Sequence, residues 1–207
     1  PETYFSEIVY AGDHEKLDTL YHWRAKIGYH YTTKDGYYYD GVVFRALQDA
    51  CGRAGVVCEH APRETAKRLL RVGYLMWGSW VSGSSLVKNV RDLMEVQHRD
   101  VEQIVIYSIL PKENLAQAQP DLLRVVEQYG YEVRQIKPRG EVSHRLDAWQ
   151  EAVQQDDLDI LILTSQIGIY TGLAVRRPAR MLVGLNSGTP EAYTSPALDF
   201  AVSWSPH

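Results

Sequence analysis

An alternation that begins near Arg71 constrains this chain more than any other feature of its sequence. From there on, short apolar runs are separated by longer stretches whose apolar residues fall at helical spacing. The run Leu158-Asp159-Ile160-Leu161-Ile162-Leu163 is nearly continuous in its hydrophobicity, as a strand buried on both faces requires. Similar runs occur at Val72 to Trp77, Gln103 to Ser108, Tyr131 to Lys137, Ala179 to Asn186 and Leu198 to Trp204. Between the first four lie helical patterns. In 86–100 the residues Leu86, Val87, Val90, Leu93, Met94 and Gln97 share one side. The stretch 116–130 ends on Gly130, a natural helix stop, and 141–157 carries Val142, Leu146, Trp149 and Val153 along one stripe. Parallel neighbours need a crossover of about a dozen residues, usually a helix, and these spacings provide it. The predicted fold is therefore α/β: an open, mostly parallel Rossmann-like sheet of about six strands, with helices on both faces. Asp159 and Asp199 are placed inside their strands, and the segment 166–175 is a short link to the fifth run.

Residues 1–70 follow no such rhythm. Leu17, Leu20, Tyr21, Arg24 and Ile27 suggest a helix, and 29–44 a hairpin turning at Lys34-Asp35-Gly36. The stretches 42–55 and 63–70 have helical character. A small, mainly helical N-terminal region is expected over 1–70, followed by the α/β domain over 71–207. The chain opens on Pro1 and stops at His207, just past an apolar run. A fragment of a longer protein is expected.

Composition removes several functions. The net charge of −4 and isoelectric point near 6.0 give no footprint for nucleic acid, and no apolar run approaches the roughly 20 residues of a membrane span. The opening residues lack the basic and then apolar regions of a signal peptide, and Cys51 and Cys58 have no metal-ligand spacing. Two buried thiols in a reducing cytoplasm are the expectation. His14, His22 and His30 recur every eight residues without a companion carboxylate, so no metal site is expected.

In parallel sheets ligands bind outside the carboxyl ends of the strands, so candidate binding residues are sought in the loops there. After the first run come Gly78, Ser79, Trp80, Ser82, Gly83 and Ser84, whose small residues let backbone N–H groups and a helix N-terminus approach a ligand. The alternative is a tight turn with Ser84 or Ser85 as helix cap. The loop is neither G-x-G-x-x-G nor a Walker loop, so no bound nucleotide cofactor is expected. Ser165 and Gln166 follow the fourth run, and Asn186, Ser187, Gly188 and Thr189 the fifth. Trp77 and Trp80 suit stacking on a sugar and serve equally well as core. No G-x-S-x-G occurs, and no general acid and base pair is identified.

The stretch 176–204 resembles the end of the N-terminal Rossmann domain in GT-B glycosyltransferases of the O-GlcNAc-transferase-like class. The likeness rests on Arg177-Pro178-Ala179, the run Met181-Leu182-Val183, the turn Gly188-Thr189-Pro190 and Asp199-Phe200. Residues 71–108 look like that family's first strand, loop, helix and second strand, and 156–168 like its later strand and polar loop. The chain departs from the pattern in four places, one of them an additional residue in the turn at Gly188-Thr189-Pro190. Residues 77–85 hold no histidine, Leu182 stands where the family has Gln, and Ser203 where it has an acidic residue. The resemblance thus implies a fold and a class, and carries over no catalytic residue. It implies the acceptor-side domain of a transferase using a nucleotide-sugar donor, inactive alone. Its partners would be an acceptor protein or glycan and a second α/β domain C-terminal to His207. A Rossmann-like binding or protein-interaction module without catalysis is the competing reading.

Overall fold

A computed structural model describes residues 45, 47–61, 69–76, 85–137, 139–140, 142–164, 169–186 and 197–203. Among them the elements run β1 (Leu70–Met76), α1 (Ser85–Gln97), β2 (Val101–Ser108), α2 (Lys112–Ala118), α3 (Pro120–Tyr129) and β3 (Glu132–Gln135). Then follow α4 (Val142–Gln155), β4 (Ile160–Leu163), α5 (Ile169–Arg176), β5 (Met181–Asn186) and β6 (Phe200–Ser203). The strands form one six-stranded sheet in the order β3-β2-β1-β4-β5-β6, and every neighbouring pair is parallel. This is the Rossmann-like sheet that the alternation predicts.

Alternate strand residues feed two separate cores, one on each face. Val72, Tyr74, Met76, Ile104, Ile106, Ile162 and Leu185 pack with Val87, Val90 and Met94 of α1 and Leu122, Val125 and Val126 of α3. On the other face Leu75, Val105, Tyr107, Leu161, Leu163 and Leu182 pack with Leu146, Trp149 and Val153 of α4 and Leu173 of α5. Each apolar side chain so buried contributes about 1.5–3 kcal/mol, so the helical stripes seen in the sequence hold both layers on. A helical segment at 47–53 joins the second core through Leu47, Ala50 and Cys51.

Three local readings change. The helical stretch before Gly130 is two helices, because Pro120 starts α3 after Gln119 leaves helical geometry at φ −141°. Residues 169–176 form a helix, α5, where only a short link is expected. Cys51 is buried, while Cys58 is only half-buried because its thiol faces Gln150 and Gln154. The hairpin at 29–44 and the helix near Leu17 lie outside the described residues.

Candidate functional site

The sheet order fixes where a site can form. The chain passes from β3, at one side, across to β4, which pairs with β1 on the flank opposite β2. Crossovers before and after this point run on opposite faces, which makes the carboxyl ends of β1 and β4 the switch point at which such sheets bind their ligands. The register brings these ends level: Leu75 pairs with Tyr107 and with Leu163, and Leu163 pairs with Gly184.

Two buried hydroxyls finish the rim. Thr164 Oγ1 donates to the Leu75 carbonyl at 2.7 Å, which ties the end of β4 to β1. On the other flank of β1, Ser108 Oγ accepts the Leu110 N–H at 3.0 Å and so turns the chain out of β2. Both hydroxyls bond to backbone and so help to build the frame of the rim. The N-terminus of α1 opens toward the same edge, since Gln97 at its far end accepts from Tyr74 and leads into the start of β2. The positive end of the helix dipole therefore lies at the switch-point edge.

Every loop with a sequence-predicted site residue leaves from this edge. β1 ends at Met76, just before the loop of Gly78, Ser79, Trp80, Ser82, Gly83 and Ser84. Thr164 precedes Ser165 and Gln166, and Asn186 is the last residue of β5, ahead of Ser187, Gly188 and Thr189. Apart from the backbone of Asn186, these residues lie outside the described ones, as does Trp77. β1, β4 and β5 are consecutive in the sheet, so the three loops begin side by side.

The opposite edge is held by acidic residues that sequence reading puts in the wrong place. Asp159 and Asp199 stand one residue before β4 and β6, not within them. Asp159 Oδ2 accepts the Arg71 N–H at 2.9 Å, and Asp199 Oδ2 accepts the Leu182 N–H at 2.8 Å. Each carboxylate thus caps the start of a neighbouring strand. Arg177, held at φ 50°, closes the second staple by donating to both oxygens of Asp199, at 3.2 and 3.0 Å, and to the Ala197 carbonyl at 3.2 Å. Leu-Asp precedes the apolar pair in both Leu158-Asp159-Ile160 and Leu198-Asp199-Phe200, a repeat that marks the two carboxylates but not the backbone N–H each one meets.

A third acidic residue, Asp156, is buried and takes a 2.5 Å hydrogen bond from the Tyr107 hydroxyl, with Arg134 as its ion-pair partner. Burial first, and then this hydrogen bond, hold the Tyr107 phenol far above the ordinary tyrosine range. Burial also raises the Cys58 thiol. His60 bonds the Arg177 carbonyl at 2.7 Å, and His144 is exposed. No group of three or more metal-ligating side chains occurs among the described residues. No described helix is long and apolar enough to cross a membrane.

Comparison with known proteins adds the following. No family model matches the chain, and no curated protein does. Among solved structures, a mutant form of the O-GlcNAc transferase of Thermobaculum terrenum superposes with a TM-score of 0.52 at 18% identity. The match covers 91% of this chain and 33% of the transferase, so the chain spans about a third of that protein. The likeness is one of fold. A Listeria monocytogenes protein described provisionally as a UDP-N-acetylglucosamine 2-epimerase gives a TM-score of 0.42 at 12% identity, covering 66% of this chain and 39% of that one.

Proposed function

We propose that this chain is the acceptor-side, N-terminal Rossmann-like domain of a glycosyltransferase that uses a nucleotide-sugar donor. The observation that carries the reading is the strand order, which puts the switch point at β1 and β4 and the ends of β1, β4 and β5 side by side, each followed in the sequence by small, polar residues. The shared fold with an O-GlcNAc transferase, of which this chain spans a third, supports it. In this reading the donor sits on a second α/β domain beyond His207, and the rim of this domain holds the acceptor, a protein or a glycan. Trp80 covers the acceptor, while Gly78, Ser79, Ser82, Gly83 and Ser84 bring backbone N–H groups to it. Ser165, Gln166 and Asn186 to Thr189 line the facing side. The domain binds and orients, and it transfers nothing alone.

The test has two arms. Calorimetry of this chain alone with UDP and UDP-sugars is expected to show no binding in the micromolar range, because the sequence after the first strand is neither a Walker loop nor G-x-G-x-x-G. The chain joined to its second domain is expected to transfer label from a nucleotide sugar to an acceptor. Micromolar nucleotide binding by the chain alone contradicts the division of labour. An inert joined protein contradicts the transferase reading and favours the interaction module.

A further inference from the structure

At the amino edge of the sheet, away from the switch point, an open groove of about 400 Å³ lies between the ends of α1 and α3. That size falls within the roughly 300–1,000 Å³ of small-molecule sites. His98, Glu102, Gln103, Tyr129, Tyr131 and Glu132 line it.

One wall is aromatic and fixed. Tyr129 stacks on His98 with centroids 4.5 Å apart and on Tyr131 at 5.6 Å. The terminal carbonyls of α1 pin the outer rings: Met94 accepts from the Tyr131 hydroxyl at 3.0 Å, and Glu95 from His98 Nδ1 at 2.6 Å. A carbonyl only accepts, so Nδ1 carries the proton, and in the neutral ring Nε2 is an acceptor. Along the amino ends of the strands runs a chain of planar polar groups laid across three of them. Arg71 donates to Gln103 at 2.9 Å, and Gln103 donates to Glu132 at 2.9 Å. Glu132 in turn accepts from Arg134 at 3.2 Å.

Charge decides what such a groove takes. Two helix C-termini and two carboxylates disfavour an anion. Each carboxylate has an arginine beside it, Arg71 at 4.0 Å from Glu102 and Arg134 on Glu132, which leaves little net charge to hold a cation. What remains is an array of fixed donors and acceptors that lines the same groove as the stacked rings. Hydroxyl groups, which both donate and accept, match the array, and the apolar face of a sugar matches the rings. We infer that this groove is a binding site for a neutral oligosaccharide, separate from the switch-point edge and independent of the function proposed for it.

The experiment is an amide-resolved NMR titration of the intact chain with chitotriose, maltotriose and cellotriose, with spermine and inorganic phosphate in parallel. At about 20 mM such a titration detects affinities in the millimolar range. At least one trisaccharide is expected to shift the amides of 101–104 and 128–132 saturably. Tyr129→Ala and Gln103→Ala are each expected to weaken that binding by about tenfold or more. Gln103 is half-buried at the edge of the sheet, so its variant tests the site even if Tyr129→Ala fails to fold. The inference is overturned if no trisaccharide shifts these amides, if Gln103→Ala binds as the wild type does, or if only spermine or phosphate produces the shifts.

Discussion

Gly73 lies in the middle of β1, and an alanine there has nowhere to put its methyl group. A Cβ built on Gly73 would stand 2.3 Å from Leu158 Cδ1, 3.0 Å from Tyr107 Cε2 and 3.1 Å from Leu161 Cδ1. The leucine end is flexible in principle, but Leu158, Tyr107 and Leu161 are all at most 1% exposed. Tyr107 is further held by its 2.5 Å bond to Asp156, so it yields only by breaking that bond. Overpacking of this kind costs about 1–3 kcal/mol. Because 1 kcal/mol moves the melting temperature of a domain this size by roughly 2–4 °C, Gly73→Ala is expected to melt about 2–12 °C below wild type. Calorimetric melting checks this. Leu158→Ala alone costs about 2–5 kcal/mol, as a cavity does. In the double variant the new methyl occupies that cavity, so its loss is expected to fall short of the sum by about 1 kcal/mol or more. A Gly73→Ala protein that melts with wild type, or a strictly additive pair, refutes the packing described for β1.

Asp199→Ala removes the acceptor for the Leu182 N–H and the partner of Arg177; with allowance for its partial exposure, urea unfolding is expected to show a loss of about 1–2 kcal/mol. Asp199→Asn, which can still accept from Leu182, is expected to lose less. Burial holds the phenols of Tyr74, Tyr107 and Tyr131 above their ordinary range, Tyr131 at about 12. A phenol whose folded pKa is raised keeps its proton where the unfolded chain has lost it. Stability from this source is therefore complete below roughly pH 10, the ordinary tyrosine value, and declines as pH rises above it. Unfolding measured from pH 8 to 12 is expected to show that slope, and Tyr107→Phe a shallower one; a flat profile contradicts the burial of these rings. The raised Cys58 thiol and the buried Cys51 are expected to react with a disulfide reagent at pH 8 far more slowly in the folded chain than in urea.

The sheet was legible because its central strands are buried on both faces. Leu161 and Leu163 serve one core and Ile162 the other, which leaves no polar position to blur the run. The stripe Leu146, Trp149 and Val153 is just as plain, since a helix over a sheet buries one face only. α5 escaped notice for the opposite reason: Leu173, Ala174, Val175 and Arg176 are all buried, so no polar face marks its period. The placement of Asp159 and Asp199 depends on which backbone N–H each carboxylate meets in a neighbouring strand, and strand order is not written in either segment. The groove escaped in the same way. His98, Gln103, Tyr129 and Glu132 come together only because β2 lies between β1 and β3. By contrast, the edge from which the candidate loops leave could be named in advance, because all parallel strands end on one side.

Turnover in the protein that joins this chain to its second domain tests the central claim most directly, with Trp80→Ala compared against wild type for both sugar transfer and melting. If the loops after β1, β4 and β5 form the acceptor rim, the account predicts a fall in transfer on the order of tenfold or more, about 1.4 kcal/mol of barrier, with the melting temperature preserved. Unchanged transfer with a loss of about 3–5 kcal/mol of stability, as for a core tryptophan, would contradict it.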